Sequence, residues 1–185
     1  MLTQNTAWTN VERAISNLRA AGLLEFRAMQ RAGMRIHELI KPAGYFNIKT
    51  RRLKNLMLAI SEAGGIQALF GMDTHAMREF LLAVNGIGEE TADSICCYAA
   101  GRPEFVVDAY TKRMLARHGF ISGSAAYGEV KAMFMDALPP DVQIFKDLHA
   151  WIVFVGKDFC RKRDPDCGGC PVSRLWAVTD RTGSY

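Results

Sequence analysis

The sequence predicts an all-α fold of two packed helical layers. Three observations predict it. Apolar residues recur at three- and four-residue spacing through most of the 185 residues, each periodic run stops at a glycine or proline, and only the segment 103–107 reads as extended. The connections between runs are short, as packed helices require.

The elements follow in order. Val11, Ile15 and Leu18 fall on one helical face, and Gly22 stops the run. Leu23 to Met29 forms a short helix ended by Gly33, and Ile36, Leu39 and Ile40 form another, ended by Pro42. Gly44-Tyr45-Phe46-Asn47 makes a turn. A longer helix then carries Leu53, Leu56, Met57 and Ile60 inward until Gly64-Gly65. Asp73 or Thr74 can cap the next helix, whose inward residues are Met77, Phe80, Leu81 and Val84. After Asn85-Gly86-Ile87-Gly88 a helix runs from Glu90 to Ala100. The extended piece follows, then helices from Asp108 to His118, Ala125 to Leu138 and Asp141 to Val155, and an irregular cysteine-bearing end. The best division lies near Gly101 to Glu104. It gives one helical domain over 1–102 and a second over 103–185.

Composition narrows the function classes. Hydrophobic residues make up 49% of the chain, enough for one or two small cores. The net charge of +4 is compatible with a polyanionic partner without requiring one. No apolar run approaches the ~20 residues that span a bilayer, and no signal peptide follows Met1. A soluble cytoplasmic protein is therefore the expectation, and a monomer is expected as well. The chain opens on what reads as the edge of a helix, which points to a truncated product or a misassigned start. Three of the five cysteines crowd into the C-terminal loop, a pattern that suggests metal more than disulfides.

The segment from Leu82 to Ala92 joins two helices through a turn of alternating glycines. Gly86 and Gly88 permit positive φ and close approach of a ligand, and Ile87 can point inward to pin the turn. The turn amides then sit at the start of the second helix, where they suit a DNA phosphate and read no base sequence. A plain helical turn has the same Gly-x-Gly signature. Asp108, after Phe105-Val106-Val107, reads locally as a helix N-cap.

Taken together, Gly86-Ile87-Gly88, Thr91-Ala92, Val107-Asp108 and Arg113 resemble the helix-hairpin-helix DNA glycosylases of the endonuclease III type. The resemblance extends to Leu2-Thr3-Gln4-Asn5-Thr6, to Gly44-Tyr45-Phe46-Asn47 with Lys49, and to the cysteine loop, so it covers almost the whole chain. It implies double-stranded DNA holding a damaged base as partner, and Asp108 as the catalytic carboxylate. A carboxylate facing the deoxyribose can stabilise oxocarbenium charge and orient or deprotonate a water. The base must first be flipped from the stack. Relatives carry one or more helices before the point where this chain begins.

Bifunctional members of the family have a lysine two residues after the second hairpin glycine, and that amine forms a Schiff base with the sugar. Here the position is Glu90, which cannot form an imine. The resemblance therefore points to a monofunctional, water-using glycosylase, similar to the branch that holds a bacterial 3-methyladenine glycosylase. Glu89 and Glu90 also suit the first turn of any helix. Either they point away from DNA, or Glu90 faces the flipped base, where an anion would suit a cationic alkylated purine. A bifunctional lyase using another amine and a catalytically inactive DNA-binding homologue are the alternatives.

The resemblance implies further contacts. Trp8 is a candidate for lining the base pocket or for a core or interface tryptophan, and Gln4 for filling the gap left by the flipped base. Lys49, Gly86, Ile87, Gly88, Thr91, Lys112 and Arg113 are candidate DNA contacts, as are Arg161, Lys162 and Arg163. The run Lys49, Arg51, Arg52 and Lys54 reads equally as a solvated helix face. Tyr45 and Phe46 read as core packing, and His149 and Trp151 as structural.

Cys160, Cys167 and Cys170 give C-x6-C-x2-C. The endonuclease III loop adds a fourth cysteine where this chain has Trp176. Four thiolates would hold a [4Fe–4S] cluster. With three, the open readings are a cluster completed by water or a ligand such as Asp180, a three-iron cluster, a loop without metal, or zinc. The spacing favours an iron–sulfur site, and the resemblance implies that it scaffolds the basic loop Arg161-Lys162-Arg163 and takes no part in bond cleavage. Cys96 and Cys97 read as small buried apolar residues.

Overall fold

The computed structural model describes residues 1–174; the positions of Trp176 and Asp180 lie outside them. The described residues are helical and contain no β-strand. Among the described residues, no helix is long and apolar enough to cross a membrane. Two compact units divide the chain, Met1–Thr91 and Ala92–Tyr185.

The first unit holds α1 (Trp8–Ala20), α2 (Phe26–Arg31), α3 (Arg35–Leu39), a 3-10 turn (Lys41–Ala43), α4 (Phe46–Glu62), α5 (Ile66–Gly71), α6 (Thr74–Ala83) and the start of α7 (Glu89–Ser94). Its core joins Ala14 and Leu18 of α1 to Leu23, Ile36, Ile40, Ala43 and Met57. Val11, Ala14 and Leu18 are the buried face of α1, so the inward stripe passes through Ala14 rather than Ile15. Asp73 is the N-cap of α6, its Oδ1 accepting the Ala76 amide at 3.0 Å. Such a cap stabilises a helix by about 1 kcal/mol. Its inward residues Met77 and Leu81 have no exposed surface.

The second unit begins with the end of α7, which widens into a π-helical turn over Ile95–Ala99. It continues with α8 (Ala109–Arg117), α9 (Tyr127–Ala137) and α10 (Val142–Asp158). The segment before α8 is extended but pairs with no strand among the described residues. It supplies Phe105, Val106 and Val107 to the core instead, all at most 2% exposed. Phe105 stacks on Phe134 at 3.9 Å between ring centroids and meets Phe145 edge-on at 5.8 Å. Burying one such phenylalanine stabilises the unit by about 2–3 kcal/mol. Cys96 and Cys97 are buried small residues, as their helical position suggests. Anchored on both sides by this apolar run and by α8, Asp108 is held in a fixed place.

Candidate functional site

In the first unit, the glycine turn is closed by the Ile87 amide donating to the Val84 carbonyl at 3.0 Å, with both side chains buried. Gly86 has φ +97°, which L side chains rarely adopt, and a Cβ there would stand 2.3 Å from Cγ of Arg52. Gly88 does not use positive φ, and a Cβ there would meet open space. The two glycines, equivalent in the sequence, thus have different duties. One makes the turn and admits the Arg52 stem; the other leaves the backbone bare.

Arg52 ties this turn to the N-terminal segment. Its guanidinium donates to Gln4 Oε1, and Gln4 Nε2 donates to Thr91 Oγ1 at 2.9 Å. Asn55 adds a bond to the Asn85 carbonyl at 3.1 Å. Gln4 and Thr91, both expected at DNA, are therefore joined to each other beside the turn. Glu89 lies 3.7 Å from Arg78, while Glu90 is exposed in the first turn of α7. Trp8 is 55% exposed at the start of α1, its indole N–H donating to Glu12 at 2.7 Å. It is no core tryptophan.

In the second unit, Asp108 is the N-cap of α8. Its Oδ1 accepts from the Thr111 amide at 2.8 Å and the Thr111 hydroxyl at 2.9 Å. Nε2 of His149, on α10, lies 3.6 Å from Oδ2, and the carboxylate is 14% exposed. Burial pushes the Asp108 carboxyl up, but His149 and the two Thr111 donors outweigh it and hold it below its ordinary value. The cap reading and a functional reading are thus compatible: one oxygen caps the helix and the other remains turned to His149. The Tyr98 hydroxyl lies 2.6 Å from Nδ1 of the same imidazole, within hydrogen-bond distance.

Several cations expected at phosphate are instead committed inward. Lys49 is 2% exposed, and its ammonium donates to the Leu2 carbonyl, the Thr6 hydroxyl and the Ala43 carbonyl. Burial, and Arg52 after it, lowers its pKa. Lys49 therefore fastens the N-terminal segment to α4 and does not face a phosphate. Lys112 donates to the Ala125 carbonyl at 2.9 Å. Arg113 donates to the carbonyls of Cys160 and Gly156, both at 2.7 Å, and packs against the Tyr110 ring. Arg161, Lys162 and Arg163 are exposed, although Arg161 folds back on the Asp164 and Asp158 carbonyls. Tyr45, expected in the core, is 67% exposed with φ 44°. Trp151 is 68% exposed, so it packs no core.

Cys160, Cys167 and Cys170 line one pocket with Arg117, His118, Asp166 and Ser173. Arg117 is 2% exposed; it donates to Cys160 Sγ at 3.3 Å and to the carbonyls of Arg161 and Lys162 at 2.6 and 3.0 Å. The residues present fit a sulfur-ligated cluster in donor type, since three thiols share a pocket whose inner wall carries a cation suited to an anionic group. Among the described residues, no three His, Cys, Asp or Glu side chains converge closely enough to hold a single metal ion.

Arg52, Tyr98, His149 and Arg117 are the residues that sequence reasoning did not single out for these roles. Their partners lie roughly 40 to 50 positions away along the chain. No local pattern marks them.

A family model described as HhH-GPD superfamily base excision DNA repair protein matches residues 1–140. A Methanocaldococcus jannaschii protein provisionally named DNA repair glycosylase MJ1434 is 48% identical over 179 residues, covering 95% of this chain and 81% of that one. Endonuclease III of Sulfolobus acidocaldarius is 28% identical over 137 residues, 74% of this chain and 59% of that protein. A solved H. pylori 3-methyladenine DNA glycosylase bound to 1,N6-ethenoadenine superposes with a TM-score of 0.71 at 26% identity, over 84% of this chain and 80% of that one.

Proposed function

Because the chain belongs to the HhH-GPD superfamily of base excision DNA repair proteins, we propose that it hydrolyses the N-glycosidic bond of a damaged base flipped out of duplex DNA, with water as nucleophile. One observation carries this reading: Asp108, which the family resemblance makes the catalytic carboxylate, is partly shielded and held below its ordinary pKa. As the base departs with the bonding electrons, positive charge builds on the sugar. The Asp108 carboxylate stabilises that charge and accepts a proton from the water whose oxygen bonds to C1′. The amides of the turn at 86–88 engage a DNA phosphate, and the exposed Lys162 and Arg163 add backbone contacts.

Glu90 supports the water mechanism. It stands where a lyase would present its lysine, and a carboxylate forms no imine with the sugar. The likeness to a 3-methyladenine glycosylase supports a purine-directed enzyme. On this reading, Trp8 lines the base pocket, and Glu90 favours a cationic alkylated purine. The test is excision from duplexes holding 3-methyladenine, ethenoadenine or an oxidised pyrimidine, with borohydride trapping in parallel. Release of the purines without a trapped adduct supports the proposal. A trapped covalent adduct would instead establish the lyase, and binding without excision of any lesion would establish an inactive homologue.

Cys160, Cys167 and Cys170 would hold an iron–sulfur cluster, whose contribution when bound is to brace the loop at 161–166. Arg117 fixes the carbonyls of that loop from the inner side. Iron and sulfide analysis of anaerobically prepared protein tests this. Stoichiometric iron with inorganic sulfide supports it, and neither element above background refutes it.

A further inference from the structure

His149 reads in the sequence as structural, yet its ring sits between the Tyr98 hydroxyl and the Asp108 carboxylate. Nδ1 lies 2.6 Å from the Tyr98 hydroxyl, and Nε2 lies 3.6 Å from Oδ2 of Asp108. Nε2 is buried and has no hydrogen-bond partner. A ring nitrogen in that state is costly unless it has an acceptor close at hand. The nearby acceptor is the outer oxygen of the catalytic carboxylate. At 3.6 Å the contact is longer than a hydrogen bond, as contacts of catalytic groups often are before substrate is bound.

We propose that Tyr98 and His149 are positioning residues for Asp108, the tyrosine hydroxyl fixing the imidazole proton on Nε2 so that this N–H is turned onto Oδ2. The inference rests on the reading of Asp108 as the catalytic group. Its logic is that of one oriented group orienting the next. A phenol donating to Nδ1 leaves only Nε2 to carry the neutral ring's proton. A phenol is protonated at neutral pH and so can donate to Nδ1; burial first, then Cys97, Asp108 and Asp147, push the Tyr98 hydroxyl further up, to about 12. Lys146 adds a cation 6.0 Å from its ring centroid. Phe105 meets the imidazole edge-on at 6.5 Å and limits its swing. With Oδ1 taken by Thr111 and Oδ2 faced by His149, the plane of the carboxylate is set from both ends.

The test uses the full chain in four forms: wild type, His149→Leu, His149→Gln and Tyr98→Phe. The Asp108 carboxyl is titrated by carbon-13 NMR without DNA. Single-turnover excision from an ethenoadenine duplex is followed against pH. His149→Leu is expected to raise the Asp108 pKa and move the acidic limb of the rate profile upward by the same amount. The rate at neutral pH should fall by roughly ten-fold or more, with duplex affinity unchanged. Tyr98→Phe should shift both in the same direction by less, and His149→Gln, which retains an N–H donor, should recover most of the loss. An Asp108 titration and pH profile identical to wild type in His149→Leu would overturn the proposal. So would equal loss in all three variants. If His149→Leu does not fold, an unchanged titration in Tyr98→Phe overturns it. If wild type excises no base while the NMR shifts appear as expected, the glycosylase reading fails and the positioning of Asp108 stands.

Discussion

Two sets of cations in this molecule look alike in sequence and behave oppositely in the fold. Lys49, Arg113 and Arg117 turn inward and spend donors on protein oxygens, Arg117 also on Cys160 Sγ. Lys162 and Arg163 stand exposed on the cysteine loop. The first set holds segments together; the second is available to a polyanion. What separates them is the company of carbonyl groups. The N-terminal segment and the loop after α10 have carbonyls without helix partners, and a long cationic side chain is a compact way to satisfy several of them.

This contrast can be broken at several points. The largest effect is expected for Lys49→Met, which leaves two carbonyls and a hydroxyl without their donor. A loss on the order of 3 kcal/mol is expected in denaturant unfolding. Arg113→Ala should cost about 2 kcal/mol by the same measurement, because two carbonyls lose a charged donor. If either variant kept its stability and lost only duplex affinity, the inward assignment would be wrong. Gly86→Ala and Gly88→Ala sharpen the comparison at the turn. The first should lower stability by about 1–3 kcal/mol, from the positive φ and the collision with Arg52. The second should leave stability within about 0.5 kcal/mol and act, if at all, on duplex binding. The smallest effects on stability are expected for Lys162→Ala and Arg163→Ala, again within about 0.5 kcal/mol. Each should reduce the salt dependence of duplex binding by about one counterion, read as the slope of log affinity against log salt.

Acid should weaken the second unit at a defined point. Asp108 is held below its ordinary value in the folded chain, so the stability it contributes is present above its unfolded pKa. That contribution disappears as pH falls through the folded value. Unfolding of wild type and Asp108→Asn across the acidic range should therefore converge at low pH.

The helices and their stops were legible because periodic apolar residues and glycine or proline punctuation are local signals. Gly22, Gly33 and Gly64-Gly65 each follow a helix at or near the expected place. The turn at 84–88 and the N-cap at Asp108 were legible for the same reason. The chemistry proposed for Asp108 rests on the family resemblance and not on any local signal. What sequence could not provide was the direction of long side chains. Lys49 and Arg51 sit two positions apart on α4, yet one is buried and the other exposed. Tyr45 leaves the core because the backbone at the start of α4 is left-handed there. His149 gained its place beside Asp108 through the packing of α8 on α10, a relation between distant segments that no spacing encodes.

The most direct test of the account is base release from an ethenoadenine duplex by wild type and Asp108→Asn, with duplex affinity measured on the same samples. Wild type is expected to release the base, and Asp108→Asn to lose roughly 10²–10⁴-fold in single-turnover rate while binding the duplex as before. Release by Asp108→Asn at the wild-type rate would contradict it.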